Sequence, residues 1–558
     1  MAAWLMRLNE HLPLRYAAWT ACGAGLLLSL PSAAQGGAGL LAALVFGALM
    51  ATGWHDVRQT RHSVLRNYPV IGHLRFLLEF IRPEVRQYFI ESDRDQIPFS
   101  RQQRALVYQR AKGVSDKRPF GTQLDVGALG YEWLNHSMAP TSLADADFRV
   151  LVGAAPTCTQ PYSASVFNIS AMSFGALSAN AILALNAGAK AGGFAHDTGE
   201  GSISVHHRQH GGDLIWEIGS GYFGCRHPDG SFSEERFAEN ARDPQVKLIE
   251  LKLSQGAKPG HGGVLPGSKV TPEIAAARGV PVGVDCISPS SHSAFDTPVG
   301  MLRFIERMRV LSGGKPVGFK LCIGHPWEWF AIAKAMVETD LLPDFIVIDG
   351  AEGGTGAAPL EFTDHVGAPL QEGLLLVHNT LTGLGLRHRV RLGAAGKVIS
   401  AFDIARMMAL GADWCNSARG FMFALGCIQA QACHTGHCPT GVTTQDPLRQ
   451  RALVVPSKAE RVHSFHGQTL KALRELVQAA GLRHPGEISA QHIVRRTARG
   501  VTLLSTSLSF VKPGELLAAE CGEAPWPQNV FSVYWPLARS DSFQPLPAEF
   551  RPPEAGSR

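Results

Sequence analysis

Apolar residues are distributed unevenly along the chain, and the changes in texture mark its parts. No charged residue occurs between Arg15 and Asp56. Within that stretch PSAAQGG at 31–37 separates apolar runs at 16–30 and 38–54. With its flanks each run is roughly 17–20 residues, enough to cross a hydrocarbon core of ~30 Å. The pattern predicts a transmembrane helical hairpin over 1–56. Arg7 and Arg15 precede it, and Arg58, Arg61 and Arg66 follow. Positive flanks on both sides put both ends in the cytoplasm, so the rest of the chain is expected on the cytoplasmic side of the inner membrane, in contact with lipid. Trp19 and Trp54 fall near the ends, where indoles favour the interface. A cleaved signal peptide would have one apolar core and a small-residue cleavage site; the second run and its basic flank argue against it.

Residues 57–150 are polar and mixed, with aromatic and charged residues at 82–110 but no clean period, and read as a helical or irregular collar. From about 165 short β-branched runs alternate with Ala/Leu-rich stretches. Strands are predicted at 166–170, 193–196, 214–217, 246–252, 317–321, 345–348, 390–392 and 414–417, and helices between them include 180–191 and 402–410. Eight such alternations over ~250 residues predict a (β/α)8 TIM barrel within 151–446; a doubly wound sheet is the alternative. The segment 264–298 exceeds a simple crossover and is expected to carry loops over the mouth. In 447–558, Val462, Phe465, Leu470, Leu473 and Leu476 give helical spacing over 457–480, and the Pro-rich last 40 residues read as a surface tail.

Composition narrows the class. The 558 residues are 45% hydrophobic, too apolar for a disordered chain. Lys plus Arg is 52 against 47 acidic residues, and no basic run interleaves with aromatics, so no nucleic-acid partner is indicated. Ten cysteines in a chain of this length are no disulfide scaffold.

Three glycine-rich turns stand out. DGAEGGTG at 349–356 follows the sixth strand. Gly396-Lys397 follows the seventh, ahead of a capping-box pattern at Ser400 and Asp403. NSARG at 416–420 follows the eighth. Loops after strands seven and eight of such barrels commonly hold a phosphate, where backbone N–H groups approach closely and Lys397 and Arg419 add charge. GSGYFG at 219–224 fits G-x-G-x-x-G but opens no helix, so it is discounted as a dinucleotide fingerprint. Cys427, Cys433 and Cys438 follow the eighth strand with C-x5-C-x4-C spacing and Pro439 behind them. Three thiolates in one loop suit an iron–sulfur cluster; zinc, completed by His434 or His437, is the rival. Lys320 leaves the fifth strand, Glu200 follows the second, and Lys258 sits in the glycine-rich QGAKPGHGG.

From about 167 to 445 the chain resembles the FMN-binding synthase domain of glutamate synthases. The resemblance is carried by ISAMSFGALS, DTGEGS, QGAKPGHGGVLPGSKV, ISP, GFKL, DGAEGGTGAAP and CHTGHCPTGVTTQ, in that order. It is closest to the standalone members with a membrane hairpin. The resemblance implies FMN, with Met172, Ser173 and Phe174 by the ring and Lys320 at its N1/O2 edge. Gly353, Gly354, Thr355, Gly396, Lys397, Ala418 and Arg419 would surround the phosphate. Cys427, Cys433 and Cys438 would bind a [3Fe-4S] cluster. Glu200, Lys258, Ser268 and Arg278 would hold 2-oxoglutarate, with Lys258, Glu200 and Lys320 as the catalytic groups.

The expected activity is that of an oxidoreductase aminating 2-oxoglutarate reductively to L-glutamate through 2-iminoglutarate. Two departures bear on the substrate: His261 replaces the family's usual Glu, and Val264 its substrate-contacting Gln. An FMN enzyme acting on another 2-oxo or amino acid is one alternative, and a non-catalytic electron-transfer subunit another. The chain begins Met-Ala-Ala, without a nucleophilic cysteine or a glutaminase segment, so ammonia is expected from solution or a partner. Electrons are expected from an external donor protein, since no nicotinamide site is legible.

Overall fold

The computed structural model describes residues 14–547 apart from 95, 96, 145, 146 and 154. Arg7 of the predicted basic flank lies outside them. Two compact units divide at Arg101, and each is described by itself.

In the first unit, α1 (Ala17–Ala33) and α2 (Gly37–Arg58) form the helical hairpin. Small residues let the helices approach: Trp19 lies over Gly53 and donates from Nε1 to the Met50 carbonyl at 3.1 Å, and Phe46 lies against Gly25. Helix α2 is long and apolar enough to cross a membrane. At 17 residues α1 is shorter, about 26 Å at 1.5 Å per residue. The collar reading resolves partly into helices. Ser63–Asn67 and α3 (Gly72–Val85) lie in this unit, and a π-helical turn, Arg86–Ile90, continues α3.

The second unit is built on a closed parallel barrel. Its strands are β1 (Phe167–Ile169), β2 (His196–Asp197), β3 (Leu214–Ile218), β4 (Val246–Lys252), β5 (Val317–Leu321), β6 (Phe345–Asp349), β7 (Arg391–Ala395) and β8 (Trp414–Ser417), hydrogen-bonded in sequence order and closed by β8 on β1. All eight fall at the predicted strands. The second begins three residues later than expected, because Gly193 takes a left-handed conformation that ends the preceding helix. An antiparallel pair, Arg149–Val152 with Tyr162–Ser165, joins the buried core: Val152, Tyr162 and Ala164 cluster with Ile215, Leu248, Phe345 and Trp414.

The long segment after β4 is an excursion with its own two-stranded pairing, Val264–Leu265 with Cys286–Ile287, around a short helix, Pro272–Arg278. Helix α4 (Arg101–Ala111) and the strand Glu132–Leu134 extend the collar; the strand pairs with Ile493–Thr497 from far along the chain. Glu132 is bridged there by Arg406 and Arg495. The predicted C-terminal helix is α8 (Val455–Ala479), with Val462, Phe465, Leu470 and Leu473 buried. The surface-tail expectation fails for part of the last 40 residues. Phe531 and Trp535 are buried, their rings 5.3 Å from that of Phe330 on α5 (Pro326–Thr339), the helix after β5. Apolar anchors override the proline-rich composition.

Candidate active site

The strand ends of the barrel carry most of the chemistry. Strands β3, β4 and β5 read LIWEI, VKLIELK and VGFKL, apolar runs broken by charge. Alternation turns Glu217, Glu250, Lys252 and Lys320 inward. Lys320 is buried and donates to Glu217, with Glu250 at 3.3 Å. Carboxylate oxygens of Asp197, Glu217 and Glu250 lie within 4.8 Å of one another. Burial and mutual repulsion push the Asp197 and Glu250 carboxyls up. Burial alone would lower the Lys320 ammonium, but the carboxylates around it hold it well above the usual lysine value.

Outside this cluster, a recess of about 320 Å³ is lined by Glu200, Ser220, Lys252, Ser254, Lys258 and His261, among others. Lys252 donates to Glu200 at 3.0 Å. Burial works against the Glu200 charge, yet Lys252, Arg278 and Lys258 outweigh it and keep the carboxyl below its ordinary value. Lys258 is lowered by burial, partly offset by Glu200. The structure therefore brings Glu200 and Lys258 together but leaves Ser268 exposed in a 3-10 turn. Arg278 is buried, donating to the Phe174 carbonyl at 3.0 Å and lying over the Phe223 ring at 5.3 Å. It thereby holds the Met172–Phe174 segment, in which Met172 and Phe174 are buried. His261 bonds the neighbouring Gly262 carbonyl and meets Phe362 edge-on. Val264 is 45% exposed.

After β6, β7 and β8 the glycine turns stand close to Arg419 and Lys397. A Cβ at Gly354 would stand 2.9 Å from the Arg419 guanidinium, and one at Gly353 would stand 2.9 Å from the Gly350 carbonyl. Thr355 is exposed beside them. Lys397 has a φ of 54°, following Gly396. Arg419 donates to the Glu352 carbonyl at 2.8 Å. Two half-buried cations stand close enough to repel: burial lowers both, Arg419 to about 10, and Arg419 lowers Lys397 further. The capping box forms as expected at α6 (Ala401–Ala409), where the Asp403 carboxylate accepts from Ser400 N at 2.8 Å and Ile399 N at 3.1 Å. This helix start is thus already served by a carboxylate. Arg419 opens α7 (Arg419–Leu425), with Ala418 just before it.

The cysteine loop follows α7. Cys427, Cys433 and Cys438 line one recess of about 260 Å³ with Met422, Thr440 and Thr443. His434 and His437 are exposed and do not line it. Among the described residues, the cysteine sulfurs do not form a ligand group within 4.8 Å. Three thiolate donors in one recess suit an iron–sulfur cluster or, with a fourth ligand, tetrahedral zinc. Burial opposes the Cys438 thiolate, but hydrogen bonds from Thr440 and Thr443 outweigh it and bring the thiol down to about 7. Burial pushes Cys427 up to about 12 and raises Cys433. Three residues that sequence reading missed hold this loop by its carbonyls. Tyr108 donates to Cys427 at 2.6 Å, Arg104 to Ile428 at 3.3 Å, and the buried Lys269 to Cys433 at 2.8 Å.

Comparison with known proteins gives a consistent result. Residues 152–483 match the family described as the conserved region in glutamate synthase. The chain is similar to the glutamate synthase large subunit-like protein YerD of Bacillus subtilis, 40% identical over 80% of this chain and 92% of that protein. It is 34% identical to an archaeal-type glutamate synthase [NADPH] of Thermotoga neapolitana, over 62% of this chain and 64% of that one. With the archaeal glutamate synthase [NADPH] of Methanocaldococcus jannaschii it shares 35% over 62% and 64%. Against these last two the chain spans a little under two thirds of the relative's length.

Proposed function

This chain belongs to the glutamate synthase family, and from that premise we propose that it is a membrane-tethered oxidoreductase that uses FMN and a [3Fe-4S] cluster to aminate 2-oxoglutarate reductively to L-glutamate. The observation that carries the reading is the three-cysteine recess, set one helix beyond the cation pair at Lys397 and Arg419.

In this reading Lys397 and Arg419 grip the FMN phosphate with the glycine turns at 353–354 and 396. Cys427, Cys433 and Cys438 hold the cluster, with Tyr108, Arg104 and Lys269 fixing their loop. When bound, FMN supplies the hydride and the cluster the route for single electrons from a donor protein. The chain's own residues do the rest. Lys258 and Lys252 face the recess beside Glu200, and their charges suit a dicarboxylate. Ammonia adds to the 2-oxo carbon and water leaves, giving 2-iminoglutarate. Lys258, lowered by burial, protonates the departing oxygen, regains a proton from the iminium nitrogen, and returns it to that nitrogen when the imine is reduced. Glu200 stays ionised and holds both lysines in place. Lys320, kept cationic by the carboxylates around it, would stabilise negative charge on a bound, reduced flavin. Helix α2, with α1 before it, is the tether, and the barrel lies on the cytoplasmic face.

An anaerobic assay with an artificial reductant, ammonium and 2-oxoglutarate tests this. L-Glutamate should form and should require both substrates. Consumption of another 2-oxo acid in preference would favour the second reading, which His261 and Val264 motivate. Absence of any turnover by the flavin-loaded protein would leave an electron-transfer role.

A further inference from the structure

Following the hairpin in the first unit, residues 72–90 form a helix without a buried face. Leu74, Leu77 and Leu78 are each at least half exposed, and Phe80, Phe89 and Ile90 are 79%, 85% and 72% exposed. Positions 74, 77, 78, 81 and 85 lie on one stripe at helical spacing, and Phe80 borders it. The adjoining stripe is 75, 79, 82 and 86, three arginines and a glutamate, with Arg75 bound to Glu79 at 2.9 Å. A helix of this length is marginal in water without a partner for its apolar side, so the exposed stripe has to be covered by something.

We infer that residues 72–90 lie in the plane of the membrane interface, apolar stripe among the upper acyl chains and arginines among anionic headgroups. The occupant is argued from charge and position. Between 57 and 90 there are six arginines and two glutamates, with no lysine or aspartate. That excess complements an anionic leaflet and not an apolar protein groove. Leucine and phenylalanine on one face with arginine on the adjoining one is the composition of a helix lying in the interface. The segment begins only fourteen residues after the end of Gly37–Arg58, which keeps it at the bilayer surface when that helix is inserted. The inference extends the tether reading and rests on it for this placement. It assigns the segment a second contact, one that fixes the depth of the tether's cytoplasmic end.

The test uses the full chain in phosphatidylcholine vesicles with or without phosphatidylglycerol, carrying lipids with a photoreactive group at the headgroup boundary. Peptide mapping should find label within 72–90, more with phosphatidylglycerol and less in high salt. Leu77→Glu with Leu78→Glu should abolish label at 72–90 while that at the ends of 37–58 persists. Phe80→Glu, alone at the border of the stripe, should reduce it in the same direction. Label on 37–58 but none on 72–90 overturns this inference and leaves the tether intact. Label on 72–90 with none on 37–58 overturns the tether and leaves the interfacial helix. Protein–protein crosslinks through 72–90 in place of lipid adducts would make the occupant a second copy and overturn the inference.

Discussion

At the residue scale the proposed phosphate site rests on charge. Burial lowers both Lys397 and Arg419, and Arg419 lowers Lys397 further, so in the proposed reading a phosphate would favour the charged form of both. Replacing both with alanine should weaken FMN far more than riboflavin. Charge-assisted bonds contribute roughly 1.5–3 kcal/mol each, so calorimetric titration should show a joint loss of about two orders of magnitude or more for FMN and little for riboflavin. Equal losses would place the phosphate elsewhere. These two cations stand out in the sequence because each follows a strand in a glycine-rich turn. Lys252, Glu217 and Glu250 were not read, although the signal was present: a charge at an inward position of an otherwise apolar strand. Arg278 is a candidate substrate ligand because guanidinium suits carboxylate; in the structure its Nη2 donates to the Phe174 carbonyl, while its buried Nε has no hydrogen-bond partner among the described residues. Sequence cannot tell a buried arginine that holds backbone from one that faces a ligand.

At the element scale the barrel strands were legible because parallel strands buried on both faces read as continuous apolar runs. What pairs across distance was not. Nothing local in Glu132–Leu134 announces its partner some 360 residues away, and the Pro-rich C-terminal stretch hid the anchors Phe531 and Trp535. The packing of α8 on the barrel yields a pH prediction. His466 is buried, bonded to Ser165 Oγ at 3.0 Å and stacked on Phe194 at 3.8 Å. Burial lowers it from 6.5 to about 3. The unfolded chain therefore binds a proton at higher pH than the folded one. The contribution of neutral His466 is fully present above about 6.5 and is lost as pH falls toward 3. Denaturant titrations of the wild type and His466→Gln should show the wild type losing about 2 kcal/mol more between pH 7 and pH 5. Parallel loss in both would mean that His466 accepts protons in the fold.

At the scale of the whole molecule, two compact units divide the labour in the proposed account: the first meets the membrane and the second carries the chemistry. Deleting residues 1–56 should convert a protein that needs detergent into one released by a high-salt wash, still yellow with FMN. If the shortened protein resists both salt and alkaline washing, the hairpin is not the integral anchor. The central claim is that one barrel holds a flavin and, one helix past its phosphate site, an iron–sulfur cluster. Metal, sulfide and flavin analysis of the full chain purified without oxygen, read together with its EPR spectrum, tests that claim most directly. The account predicts one FMN and one [3Fe-4S] cluster per chain, a paramagnetic signal in the oxidised protein, and loss of iron and sulfide but not of FMN in Cys433→Ser. Stoichiometric zinc without acid-labile sulfide would contradict it.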